Sequence, residues 1–162
     1  MDPLFADIGN STIKIARLVN GSVDRLSYTD HQSAPTDILS SVSLLSNVGI
    51  SLTKQREQFG ECPSVHDVLK GLPLNLAYNH PKQLGQDRIA VMMAAWSYDI
   101  SDTKKKGSFA VIDLGSCVTT DIVNSKGKHL GGNIDLGLLW RIRAAHTFSE
   151  KLPLVDIEDS AK

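Results

Sequence analysis

Two segments of this chain carry the same arrangement of residue types: Phe5-Ala6-Asp7-Ile8-Gly9-Asn10-Ser11 and Val111-Ile112-Asp113-Leu114-Gly115-Ser116-Cys117. Each has an apolar strand, an Asp at its end, a Gly two residues later and a small polar residue before a return strand. A glycine in such a hairpin lets backbone N–H groups come close to a phosphate, because no Cβ blocks the approach, and flanking hydroxyls can donate too. Gly9, Asn10, Ser11, Gly115 and Ser116 have the right types, and Lys14 on the first return strand is within reach of a phosphate. Asp7 and Asp113 can hold a cation directly or through water, since Mg²⁺ beside phosphates takes one or two carboxylates and keeps waters. The plainer alternative is ordinary turn chemistry, Asp bonding its own backbone and Gly supplying the turn. One copy favours that alternative; the duplication tips the balance toward phosphate binding. No Walker A sequence and no GxGxxG after a strand is present, so a nucleotide would sit on neither a P-loop nor a Rossmann turn.

Gly85-Gln86-Asp87-Arg88 opens the clearest helix of the chain. Asp87 falls in its first turn, where the helix dipole and free N–H groups favour an ionised carboxylate, a competent proton acceptor. The bland reading is a helix cap. Arg88 can clamp a carboxylate or phosphate with paired donors or simply solvate the helix start, and Tyr78 lines a pocket or fills core. The five histidines, His129 and His146 among them, lack metal-ligand spacing and read as structural or surface residues. Cys117 has no partner base and reads as a small buried residue rather than a nucleophile. Arg141, Arg143 and Lys151 read as a solvated helix face.

The elements that position these residues follow from periodicity. Strand, tight turn and strand run from Leu4 to Val19, Asn20-Gly21 marks a hairpin, and Ser22 to Thr29 makes a third strand. Pro35-Thr36-Asp37 starts a helix over 36–46, with Ile38, Leu39, Val42 and Leu45 on one face. Gln55 to Pro63 is polar and weakly patterned, and Val65, Val68 and Leu69 suggest a short helix ending near Gly71. Leu74 to Tyr78 reads as a strand and 84–98 as a helix burying Ile89, Met92, Met93 and Trp96. Lys104-Lys105-Lys106 reads as a charged connection and a domain boundary. Beyond it the pattern restarts: strand 108–112, turn 113–116, strand 119–123, hairpin 126–128, strand 129–134, then a helix 138–150 with Leu138, Ile142 and Ala145 on one face and Pro153 ending it. The reading is a duplicated α/β unit, one hairpin per half, the two facing each other across a cleft.

Composition bounds the function. The 162 residues are 41% hydrophobic and 22% charged, enough for a sizeable core in one domain or two small ones. Seventeen Lys plus Arg against eighteen Asp plus Glu leave a net charge of −1, so no bulk positive field exists to hold nucleic acid or an anionic membrane. Cys62 and Cys117 lie far apart with no CxxC, which argues against a zinc site or a disulfide scaffold and for a reducing cytoplasm. No apolar run approaches the roughly 18 residues of a membrane span.

Together the motifs resemble one family, the type III pantothenate kinases of the acetate and sugar kinase and actin-like superfamily. Asp7-Ile8-Gly9-Asn10-Ser11 is similar to its first phosphate hairpin, Gly85-Gln86-Asp87-Arg88 to its G-x-D-R signature, and Asp113-Leu114-Gly115-Ser116-Cys117-Val118-Thr119 to its second hairpin. Gly131-Gly132-Asn133-Ile134 with Leu152-Pro153 resembles its closing segment, and all four occur in the family's order. The resemblance implies a duplicated actin-like (ribonuclease H-like) α/β fold with mixed sheets and flanking helices, divided into 1–106 and 107–162. It implies ATP-dependent phosphorylation of pantothenate, the first step of coenzyme A synthesis, with Asp87 as general base. By the same resemblance Asp7, Ile8, Gly9, Asn10, Ser11, Thr12, Ile13, Lys14 and Ser116 surround ATP. Asp7 holds Mg²⁺ through water, Asp113 a monovalent cation (K⁺ or NH₄⁺), and Tyr78, Gly85, Gln86, Asp87 and Arg88 the pantothenate. A cytoplasmic homodimer is implied as well.

The sequence departs from the family pattern in places. Ser11 and Ser116 stand where threonine is usual, and Leu136-Gly137 where a Pro-Gly step is typical. Residues 52–63 lack the apolar strand expected there. The chain stops at Lys162, so the second domain is expected to be incomplete, a fragment or partial gene product, with apolar surface and a sheet edge left open. Two other readings compete: a non-catalytic actin-like nucleotide-binding or regulatory module, and a small interaction domain whose D-x-G turns are only structural. Asp87 favours the enzyme, since a pure binding module needs no base.

Overall fold

The computed structural model describes residues 2–10, 12–28, 35–76, 78–101 and 107–156. Strands β1 (Leu4–Ile8), β2 (Ile13–Val19) and β3 (Ser22–Tyr28) form an antiparallel meander, with Asn20-Gly21 turning between the last two. Helix α1 (Thr36–Ser40) leads into β4 (Val42–Asn47), which pairs parallel to β1 and completes a sheet ordered β3-β2-β1-β4. Period-two burial gives this sheet two faces. Ile8 of β1 and Ile13 and Ile15 of β2 are wholly buried, clustered with Leu39 of α1 and Phe59 of α2 (Leu52–Phe59). The opposite face of β1 carries Phe5 and Asp7.

Helix α3 (Gln86–Ser101) sits between this sheet and a second one, touching β4 on one side and β5 (Phe109–Leu114) and β6 (Cys117–Val123) on the other. With β7 (His129–Leu136), these strands make a second antiparallel meander, ordered β5-β6-β7. Ile89, Met92 and Trp96 of α3 cluster with Val123 and pack against Phe109 and Val111, the Trp96 and Phe109 rings lying 6.3 Å apart. The outer face of this sheet is exposed at Ile112, Leu114, Ile122 and Leu130. Helix α4 (Leu138–Phe148) buries none of its residues. No helix of the described residues is long and apolar enough to cross a membrane. The architecture is therefore mixed α/β, two sheets with flanking helices, with the meander duplicated as the pattern predicts.

Several boundaries differ from the sequence expectation. The helix expected over 36–46 ends at Ser40, and Val42 and Leu45 belong to β4. The Ser40 and Ser41 hydroxyls both donate to the Asp37 carbonyl and compete with helix propagation, while pairing with β1 captures the following residues. The weakly patterned region is α2, capped where the Ser51 hydroxyl accepts from the Lys54 N–H and ending at Gly60. Its short apolar face, essentially Phe59, hides it from a periodicity test. Near Val65 only a 3₁₀ turn, Leu69–Gly71, forms. The strand expected at Leu74–Tyr78 reduces to one parallel bridge, Asn75 with Lys128, and after α2 a second parallel bridge joins Leu45 with Ser64. Strand β5 runs to Leu114, so the turn expected over 113–116 is only Gly115-Ser116. Helix α4 ends at Phe148, before Pro153, and leaves Leu138 exposed rather than on a buried face. The boundary expected near Lys106 lies outside the described residues.

Ile15→Ala should cost roughly 2–5 kcal/mol, the range for emptying a close-packed site, read from chemical denaturation. Asp67 accepts from the Ser64 N–H at 2.8 Å and the Ser64 hydroxyl at 2.7 Å, and these bonds draw its carboxyl below the ordinary range. A depressed folded-state value stabilises above the unfolded one, and that contribution disappears as pH falls through the folded value. Asp67→Ala should therefore lower stability at neutral pH and flatten its acid dependence below the ordinary carboxylate range, as followed by denaturation at a series of pH values.

Candidate functional site

Each sheet brings an Asp to the same place by the same means. Asp7 is the penultimate residue of β1, directly opposite Lys14 of β2, whose Nζ lies 3.5 Å from Asp7 Oδ2. Asp113 is the penultimate residue of β5, directly opposite Thr119, which itself pairs with Ile134 of β7. The two hairpins differ in length. Four residues, 9–12, separate β1 from β2, closed by the Gly9 N–H donating to the Thr12 carbonyl at 3.0 Å. Two residues, Gly115 and Ser116, separate β5 from β6, closed by the Gly115 N–H donating to the Cys117 carbonyl at 3.0 Å.

The first hairpin is seated on the loop after β4. The Val48 N–H donates to the Ile8 carbonyl at 3.0 Å, and a methyl group on Gly49 would land on the Gly9 carbonyl, so only glycine allows the two backbones to touch. Asn47 shapes that loop: its Oδ1 accepts from the Gly49 and Ile50 N–H groups, and its Nδ2 donates to the Ile50 carbonyl and to Gln55 Oε1. The Asn47 N–H donates to Gln86 Oε1 at 3.3 Å, tying the first turn of α3 to the edge of the first sheet.

The next two residues of α3 turn toward the second sheet. Asp87 is half-buried, and its Oδ1 accepts from the Arg88 N–H at 2.8 Å. Arg88 is buried, donating from Nε to Asp121 Oδ2 at 2.8 Å and from Nη2 to Asp121 Oδ1 at 2.7 Å. These bonds raise the Arg88 pKa above its already high value, so the guanidinium stays charged. His129 Nε2 makes the third contact to this carboxylate, 2.8 Å from Asp121 Oδ1. An ion pair taken out of water in this way holds only with good geometry and further hydrogen bonds, and here three donors engage both oxygens of the carboxylate.

A cleft of about 420 Å³ lies between the two hairpins and the start of α3. Of the residues singled out in the sequence, Asp7, Gly9, Asn10, Thr12, Lys14, Gly85, Asp87, Arg88, Asp113, Gly115 and Ser116 line it. Ile8 and Ile13 instead lie in the core beneath, Gln86 is buried and engaged with Asn47, and Tyr78 is exposed and does not line the cleft. Ser11 lies outside the described residues. Val48, Thr119, Ile134 and Cys117 were missed as lining residues, and Cys117 is exposed rather than buried. The two-residue turn places Cys117 at the head of β6, in the same row as Thr119 and Asp121. Alternation along 117–123 was the available signal for all three. Among the described residues no group of three His, Cys, Asp or Glu is placed to hold a metal ion by itself.

Comparison with known proteins shows what the chain as a whole is similar to. The family model described as type III pantothenate kinase matches residues 26–162. A type III pantothenate kinase of Bacteroides fragilis is 32% identical over 166 aligned residues, covering 96% of this chain and 65% of its own. That of Phocaeicola vulgatus is 34% identical over 165, covering 94% and 64%. The chain thus spans slightly less than two thirds of the length of these relatives. Among solved structures, the Aquifex aeolicus PPX-GPPA enzyme aligns with 99% of this chain and 60% of its own at 15% identity and a TM-score of 0.47, too loose a likeness to speak to chemistry. With its hairpins, its G-x-D-R helix start and its sequence relatives in accord, the chain belongs to the type III pantothenate kinase family.

Proposed function

We propose that this site transfers the γ-phosphoryl group of ATP to the terminal hydroxyl of pantothenate, giving 4′-phosphopantothenate, the first step of coenzyme A synthesis. The observation that carries the reading is the convergence of three carboxylates, Asp7, Asp87 and Asp113, with both glycine hairpins on one cleft. Phosphoryl transfer needs mostly positioning and neutralisation of charge, with one carboxylate to take the hydroxyl proton. Gly9, Asn10, Thr12, Lys14 and Ser116 line the cleft and would surround the phosphates, and Lys14 pairs with Asp7 loosely enough to exchange partners. With one bond to its own helix, Asp87 can take the proton on Oδ2 as the acceptor oxygen bonds to the γ-phosphorus and the bond to the β,γ-bridging oxygen breaks, releasing ADP.

The metals of this reading fit the residues present. Two separated aspartates without a third ligand suit Mg²⁺ held by one carboxylate through water and completed by phosphate oxygens, with Asp7 in that role. Such an ion neutralises charge on the transferring group. Asp113 would hold the monovalent cation, K⁺ or NH₄⁺. Arg88 and Gly85 would face the pantothenate, with Gln86 holding the helix start in place and Tyr78 outside the cleft. Two actin-like domains meeting near residue 106, a homodimer and a cytoplasmic setting belong to the same reading, supported by family membership. The intact base at Asp87 speaks against a non-catalytic module.

Coupled measurement of ADP release with Mg²⁺ and K⁺ should show turnover that depends on pantothenate. Asp87→Asn should abolish that turnover while changing ATP affinity by less than about threefold, as titrated calorimetrically; an unchanged rate removes Asp87 as the base. Burial pushes the Cys62 thiol pKa up, whereas Cys117 is exposed on the cleft. A thiol reagent should therefore modify Cys117 well before Cys62, and Mg²⁺-ATP should slow the Cys117 reaction alone, as followed by peptide mass spectrometry.

A further inference from the structure

Gly131-Gly132, Asp121 and His129 take no part in the transfer as just described, yet they surround a buried network one residue from Asp87. The Asp121 carboxylate receives three donors: Arg88 Nε on Oδ2, and Arg88 Nη2 and His129 Nε2 together on Oδ1. Asp121 and His129 are 3% and 0% exposed. A carboxylate only accepts, so Nε2 carries the proton that His129 gives to Asp121, and His129 Nδ1 is buried with no hydrogen-bond partner among the described residues. The imidazole is thus committed to one bond. A side chain on Gly132 would strike the Thr120 backbone carbonyl as well as Asp121 Oδ1 and Arg88 Nη2, so β7 approaches both β6 and the ion pair here only as glycine.

This network fixes two of the three guanidinium nitrogens of Arg88, Nε and Nη2. Nη1 makes no hydrogen bond among the described residues, and Arg88 lines the cleft beside Asp87. Resting on the kinase reading above, we propose that Asp121 and His129 are positioning residues: they lock the Arg88 guanidinium so that Nη1 and Asp87 present a fixed pair of groups to the acceptor. His129 acts through Asp121, holding the carboxylate in the one rotamer that meets Arg88 with both oxygens. Without that bond Asp121 retains its charge but loses its orientation, and the guanidinium turns with it. Small displacements of positioning groups are costly in rate, reaching roughly a hundredfold for about 1 Å.

The test compares His129→Leu, His129→Gln and Asp121→Asn with the parent chain, reading pantothenate and ATP kinetics separately and the Arg88 side-chain signals by ¹⁵N NMR. His129→Leu should raise the KM for pantothenate or lower kcat by at least tenfold, with the KM for ATP within about twofold. His129→Gln, which restores an N–H donor, should recover most of the loss. In every case the Arg88 guanidinium should rotate and exchange faster in His129→Leu and Asp121→Asn than in the parent. Equal losses toward ATP and pantothenate, no rescue by glutamine, or unchanged Arg88 signals in both variants would each overturn the proposal. Absence of pantothenate-dependent turnover in the parent chain would overturn the kinase reading alone, and the Arg88 signals would then decide the positioning claim without it. Asp121→Asn, which keeps the volume of the carboxylate, covers the case in which a His129 variant fails to fold.

Discussion

The buried ion pair between Arg88 and Asp121 constrains the rest of this structure. A guanidinium and a carboxylate removed from water destabilise the fold unless each finds nearly all its hydrogen bonds. That requirement holds α3 against β6 and accounts for the donor at His129, while a side chain at Gly132 would intrude on the pair as well as on the Thr120 carbonyl. Breaking it from one side would strand a charge in the interior, so the second sheet and the helix must dock together or not at all. The apolar contacts of Ile89, Met92 and Trp96 with Val123 supply the driving force for that docking, while the ion pair supplies its register.

Much of this was legible in the chain. The duplicated D-x-G segments named both hairpins, because a turn is a local object whose chemistry lies within five or six residues. Helix α3 was equally plain, since Ile89, Met92, Met93 and Trp96 repeat at helical spacing over a long run. Helix α1 and β4 were not separable: Ile38, Leu39, Val42 and Leu45 satisfy a helical period, and what ends the helix is the pairing of β4 with β1, which no local window contains.

The partner of Arg88 escaped for a related reason. Asp121 lies 33 residues away and His129 on yet another strand, so nothing near Arg88 in sequence announces them. The trace they left is the row Cys117, Thr119, Asp121, Val123. An acidic residue in the same inward row as a fully buried valine must have a cationic partner across the interface. The family resemblance directed attention to the glycines of β7 as part of a closing motif, whereas at Gly132 their physical meaning is close approach to the β6 backbone and to a pair of charges.

Helix α3 is fastened twice within three residues: Gln86 binds the backbone at the end of β4, and Arg88 binds the carboxylate of β6. Asp87 stands between the two fastenings. Whatever draws the two sheets apart must therefore break one of these fastenings, and the carboxylate between them keeps its place only while both hold.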